Sequence, residues 1–276
     1  MQRKTWFELH DHRLFPAFLR NLMTDGLGAM WNSQNIYGPV VPRLRHVLAE
    51  AGTNRIIDLC SGGGGPWSRL CHDLGEKGAS APAILLTDKY PNQRAFQQMC
   101  AATGNVITFH SEPVDAMCIP PALAGFRTMF TSIHHFAPSE VRTILMDAFE
   151  QRQGIAIFDS AKRDPWTLLA VCGVPLLALW LVPRIRPFRW SRIFWNYCLP
   201  VIPFTLWFDG VMSCLRSYSQ ADLWESTAEF TSEDYRWEVG EERGRLVNIT
   251  YLVGCPVRKE EREVAEHELE VAKSSL

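Results

Sequence analysis

The sequence contains no CxxC pair, and its eight cysteines in 276 residues are too few and too dispersed for a disulfide scaffold. Free thiols in a reducing compartment are the expectation. Charge of one sign is also missing. The 28 basic and 30 acidic residues leave a formal charge of −2, which excludes a globally basic nucleic-acid binder. No HExxH, no His/Cys cluster at metal-ligand spacing and no GxxxxGK[ST] loop occurs, so no metal is expected from local motifs. The opening MQRKTWFELHDHRLF has no apolar stretch of the secretory type. There is no internal repeat and no low-complexity linker. What remains is a chain with 47% apolar and 21% charged residues, enough to bury a core and too apolar for global disorder.

Hydrophobic patterning divides this chain. Residues 1–52 read as a helical cap. Leu14, Phe18, Leu19 and Leu22 follow helical spacing over 13–23, a loop rich in Gly and Asn follows, and Pro42 lies near the start of a second helix carrying Leu44, Val47 and Leu48. From residue 55, strands and helices alternate. RIIDLC (55–60), AILLTD (83–88), VITFH (106–110), TMFTSI (128–133) and GIAIFDS (154–160) read as strands, with helices over 66–75, 92–102 and 138–151. Such alternation predicts a parallel sheet covered on both faces. YRWEVGEE (235–242) and NITYLVGC (248–255), joined around Gly244, read as an antiparallel hairpin closing the sheet. Residues 258–276 form a charged tail read as a solvated helix.

Residues 164–216 fit neither pattern. WTLLAVCGVPLLALWLVP (166–183) has 18 residues without charge, RIRPFRWSR (184–192) has four arginines, and IFWNYCLPVIPFTLWF (193–208) has 16 without charge. Five of the ten tryptophans lie between Trp166 and Trp207. A span needs ~20 apolar residues. Two full spans would place the four arginines across the membrane from the alternating strand–helix domain, against the positive-inside tendency. Prolines at 175, 183, 187, 200 and 203 also interrupt regular helices. The favoured expectation is a monotopic, in-plane helical pair, with Arg184, Arg186, Arg189 and Arg192 at anionic head groups.

The first strand runs directly into Asp58-Leu59-Cys60-Ser61 and then Gly62 to Gly65, before the next helix. Glycines there allow a sharp turn and bring a ligand close to main-chain N–H groups at a helix start. Asp88 ends the second strand, 26 residues after Gly62, where a carboxylate can accept both ribose hydroxyls of a nucleoside. A dinucleotide and a nucleoside with an amino-acid tail share this geometry. The run CSGGGGPW departs from GxGxxG, and a carboxylate at Asp58 would repel a diphosphate but suit an ammonium.

These residues resemble motif I of class I S-adenosylmethionine (SAM) dependent methyltransferases. The resemblance implies an α/β, Rossmann-like seven-stranded sheet, mostly parallel with an antiparallel C-terminal hairpin. It also implies SAM as cofactor and methyl transfer as the activity (EC 2.1.1.-). By that likeness Asp58 is the motif acid, Gly62 and Gly64 are the second and third glycines, and Cys60 replaces the first. Asp88 is the ribose acid, and Asp115 with Ala116 lies near the adenine. Thr131 to Phe136 (TSIHHF) is similar to the ubiquinone/menaquinone-biosynthesis-like branch, which makes His134 or His135 a candidate base near the acceptor. The resemblance covers 40–160 and 219–256; the SAM-binding domain is read as 53–163 with 217–257, and 164–216 is the apolar helical insertion.

Transfer from a sulfonium needs mainly in-line positioning, with a base only if the acceptor must lose a proton. A Trp- and Leu-rich insertion implies an apolar or lipid-like small-molecule acceptor met at the cytoplasmic side of a membrane, peripherally or monotopically. Tyr37, Asp209 and Arg216 are candidate acceptor or lid contacts. Three alternatives stand beside this reading: a soluble methyltransferase using the insertion as lid or dimer interface, a non-catalytic SAM-binding scaffold at the membrane, and a nicotinamide-dependent reductase.

Overall fold

The computed structural model describes residues 3–4, 6–75, 81–230 and 232–257; the charged tail 258–276 lies outside them. Five parallel strands, β1 (Arg55–Leu59), β2 (Ala83–Leu86), β3 (Ile107–Phe109), β4 (Phe126–Phe130) and β5 (Ile155–Asp159), are joined by β6 (Tyr235–Glu242) and β7 (Ile249–Pro256) in the order β3-β2-β1-β4-β5-β7-β6. β7 pairs antiparallel with both β5 and β6. The sheet is the Rossmann-like, seven-stranded architecture expected, and the closing hairpin inserts its second strand beside β5.

Side-chain alternation builds two cores, because successive Cβ atoms point to opposite faces. Ile56, Ala156 and Phe158 pack with helices α2 (Val41–Ala51), α3 (Trp67–Gly75) and α4 (Gln93–Ala102) on one face. Ile57, Ile155 and Ile157 pack with α5 (Pro138–Glu150) and α10 (Gln220–Thr227) on the other. β4 and β5 are buried at every position, as strands covered on both faces must be.

A third core joins the cap to the insertion. α1 (Ala17–Ser33) contributes Leu19, Leu22 and Met23. They meet Ala178 of α7 (Val174–Leu181) and Ile202 and Leu206 of α9 (Val201–Arg216). α1 continues through Gly26 and Gly28, which the sequence reading placed in a loop. Asn32 of α1 donates from Nδ2 to the Gly65 carbonyl at 3.0 Å, which docks this helix on the loop after β1.

The insertion forms two apolar helical stretches. α6 (Pro165–Cys172) and α7 continue into one 20-residue apolar helical stretch, Pro165–Arg184, long and apolar enough to cross a membrane. α8 (Trp190–Ile193), prolonged to Cys198, and α9 form a second apolar pair bent by 70°. Pro175 does not break the first stretch because it occupies the first turn of α7, where no intrahelical N–H is needed. Two of the four arginines expected at head groups turn inward. Arg192 is 2% exposed and donates to Asp25 of α1 at 3.0 Å, and Arg189 reaches the same carboxylate at 3.5 Å. A buried guanidinium requires a partner, and Asp25 supplies it. Arg184 and Arg186 remain exposed.

Candidate active site

The strand order reverses between β1 and β4, and a crevice opens at the carboxyl ends of parallel strands at such a point. A cavity of about 430 Å³ occupies it, within the ~300–1,000 Å³ of small-molecule sites. Its floor comes from the ends of β1 and β4 with the segments that follow them (Asp58 to Gly65, Phe130 to Phe136) and from the segment after β2 (Asp88 to Asn92). Its roof comes from the segment preceding α1, from α1 and from α9.

One end is organised by two buried acids. The Asp58 carboxylate accepts from Ser61 Oγ at 2.6 Å and from Thr128 Oγ1 at 2.7 Å. Burial pushes its pKa up to about 7 against those hydrogen bonds. Asp58 thereby ties the start of the glycine loop to β4. Asp88 lies two residues past the end of β2, not within it. Its Oδ2 accepts the Gly62 N–H at 2.7 Å and its Oδ1 the Tyr90 N–H at 2.7 Å. Burial raises this carboxyl too, opposed by the Tyr90 and Gly62 amides. Gly62, Gly64 and Gly65 all have positive φ, a conformation that only glycine adopts without strain. At Gly63 a Cβ would meet the Thr24 backbone at 2.9 Å, so α1 closes directly over the loop.

The other end is assembled from distant segments. β4 stops at Phe130, earlier than the sequence reading placed it, because Thr131 turns with φ +44° and Ile133–His135 form a short 3₁₀ turn. That turn presents both histidines to the cavity. His134 is buried, with Nδ1 2.8 Å from Asp159 Oδ2 at the end of β5. His135 Nδ1 lies 3.0 Å from Asp11 Oδ2. Between them comes Glu8, 0% exposed, with neither carboxylate oxygen hydrogen-bonded. Desolvation raises its pKa. Glu8 escaped the sequence reading; its signal was a lone acid inside the apolar run Trp6-Phe7-Glu8-Leu9.

The remaining candidates divide. Cys60, Gly62 and Asp209 line the cavity, whereas Gly64, Asp115 and Ala116 do not. Asp115 accepts from Lys89 Nζ at 2.8 Å and from the Met117 N–H at 3.1 Å beyond the rim. Asp209 accepts the Leu9 N–H at 2.7 Å and bonds the His10 ring at 2.8 Å, fixing the segment that carries Glu8. Arg216 is buried behind the turn and donates to the carbonyls of His134 and His135 at 3.1 and 2.7 Å. Tyr37, a candidate acceptor or lid contact, lies in the core and does not line the cavity. Its hydroxyl meets Thr131 and Ser160, held there by edge contacts with Trp31 and Phe130.

No protein-family model matches the chain, and no curated protein matches it. Solved structures do resemble it. The pyocyanin biosynthetic protein PhzM is 11% identical with a TM-score of 0.45, over 79% of this chain and 54% of that one. The neocarzinostatin O-methyltransferase NcsB1, solved with SAM and a naphthoic acid, is 14% identical with a TM-score of 0.45, over 79% and 57%. A Rhodobacter sphaeroides protein described as a zinc-dependent alcohol dehydrogenase is 14% identical with a TM-score of 0.48, over 86% and 99%. The chain spans just over half the length of the first two. At those scores the fold assignment rests on this chain's own strand order.

Proposed function

We propose that the protein is a SAM-dependent methyltransferase acting on an apolar or lipid-like small molecule at a membrane surface. The observation that carries this reading is the pairing of Asp88 with the Gly62 amide at the switch-point cavity. A carboxylate already bound to the glycine loop has free lone pairs for ribose hydroxyls. Asp88 presents a carboxylate where a dinucleotide would need to place its diphosphate. A nucleoside bearing sulfonium and ammonium groups suits that field. Its methyl would point along the cavity toward the wall formed by Glu8, His134 and His135, where the charge and proton lost by an acceptor are handled. Positioning supplies most of the rate.

The insertion serves as roof and anchor together. Leu206, Asp209, Gly210 and Ser213 of α9 line the cavity. Of the exposed large apolar side chains among the described residues, all but Tyr90, Met146, Trp224 and Leu246 lie in residues 6–18 or 166–207. A face of that kind supports a monotopic seat on the cytoplasmic leaflet, with Arg184 and Arg186 at head-group level.

The test incubates purified protein with isotope-labelled SAM and lipid extract and follows labelled lipid and S-adenosylhomocysteine by mass spectrometry. A mass-shifted, lipid-soluble product is expected. SAM binding without turnover on any extract would favour the scaffold reading, and absence of SAM binding by calorimetry would remove the assignment.

A further inference from the structure

We propose that Glu8, His134 and His135 bind a first-row divalent transition-metal ion at the acceptor end of the cavity. The three donors come from positions 8, 134 and 135, so no local spacing motif betrays them, and they meet only because α9 pins the N-terminal segment against the turn after β4. One ligand atom from each lies within 4.8 Å of the other two.

Two of the donors are prepared in different ways. His134 gives Nδ1 to Asp159, whose other oxygen accepts the Ala161 N–H at 2.9 Å. An imidazole held so by a carboxylate presents its Nε2 lone pair forward, the arrangement found behind metal-bound histidines. That Nε2 lies 3.7 Å from Glu8 Oε1, and His135 Nδ1 lies 3.7 Å from Glu8 Oε2. Both distances are too long for hydrogen bonds. They are the spacing of atoms that share one ion, since ligands at ~2.1 Å from a metal stand roughly 3–4 Å apart. Glu8 is the decisive member. A fully buried carboxylate with no hydrogen bond is costly, and an ion between it and the two rings removes that cost.

The neighbouring charged groups have other partners. Arg216 Nη1 is 3.6 Å from Glu8 Oε1, but its nearer carboxylate is Asp11 at 3.1 Å and its other nitrogens are held by backbone carbonyls. His10 Nδ1 is 3.8 Å from Glu8 Oε2 and engaged by Asp209. Asp11 Oδ2 lies 3.0 Å from His135 Nδ1, a hydrogen bond that the ion would replace. Two imidazoles and a carboxylate suit zinc, iron, cobalt or manganese better than magnesium or calcium. Three protein ligands on a cavity wall leave a position open to that cavity. Cation binding does not depend on the methyltransferase reading. If that reading holds, the open position is where an acceptor oxygen would bind, releasing its proton to solvent more readily than in water.

The test uses the full chain, stripped with a chelator and titrated calorimetrically with zinc chloride, alongside elemental analysis of protein purified without chelator. One equivalent per chain is expected. E8Q, H134A and H135A should each weaken binding at least ~100-fold, D159N by ~10–100-fold, and H110A not at all. Zinc should raise the melting temperature of the wild type and not that of E8Q. X-ray absorption of the loaded wild type, which needs no variant to fold, should show only nitrogen and oxygen ligands. No stoichiometric uptake, uptake unchanged in E8Q, or sulfur in the ligand shell would each overturn the site. SAM calorimetry on the same samples separates the two proposals, since zinc binding without SAM binding sinks only the methyltransferase reading.

Discussion

Two apolar regions of this protein have opposite fates. The strands IAIFD of β5 and FRTMF of β4 are buried at every position. The α6–α7 stretch is at least as apolar, yet Trp166 is 79%, Leu169 64% and Leu176 72% exposed. The strands lie under helices on both faces, so their apolar surface is already removed from water. The insertion helices have one covered side, against α1 and α9, and the other faces outward. Hydropathy alone does not distinguish the two; the number of covered faces does.

The comparison breaks most sharply with a charge in each region. Ile157→Asp would bury an unpaired carboxylate and should cost more than ~4 kcal/mol, leaving no cooperative melt by circular dichroism. Leu169→Asp with Leu176→Asp should leave the melt almost unchanged, within about 1 kcal/mol in total. A collapse of the fold in that double variant would show the outer face to be covered after all.

Asp58 sharpens the description of the buried region. Its folded pKa, about 7, lies above the unfolded value of 3.8. Between those values the native state retains a proton that the unfolded chain has released, so stability falls as pH rises through this window. The loss from pH 5 to 7 should be on the order of 2 kcal/mol. D58N should flatten that slope in urea titrations at the two pH values; parallel wild-type and variant curves would count against a raised Asp58.

For the outward region, each leucine withdrawn from acyl chains is worth roughly 1–2 kcal/mol. The Leu169→Asp, Leu176→Asp variant should therefore partition into anionic vesicles at least ~30-fold less than wild type in flotation assays. Equal flotation would leave the insertion as a lid alone. The smallest effect concerns the cavity floor. Asp88→Ala should lower SAM affinity at least ~10-fold, about 1.4 kcal/mol, without loss of fold, and unchanged calorimetric affinity would remove Asp88 from the ribose.

Much of the sheet was legible in the sequence, because strands covered on both faces must be short and apolar and the turns between them must carry glycine or polar residues. β1, β5 and β6 lie where the pattern put them. β4 was misplaced because Met129 and Phe130 continue smoothly into Thr131, and only the positive φ at Thr131 ends the strand. The glycine loop and Asp88 were also legible, since a tight turn, a helix start and a strand-end acid lie within one βαβ unit.

Chain order and spacing alone determined the doubly wound sheet, the glycine-rich turn at its switch point and the existence of a large apolar insertion. These depend on contacts close along the chain or on repeating patterns of burial. Tertiary structure alone decided that Glu8 meets His134 and His135, that Arg192 turns inward to Asp25, and that Tyr37 belongs to the core. Each of those partners is separated by tens of residues or more. Such pairs are set by how whole helices dock, and no periodicity in the sequence records the docking.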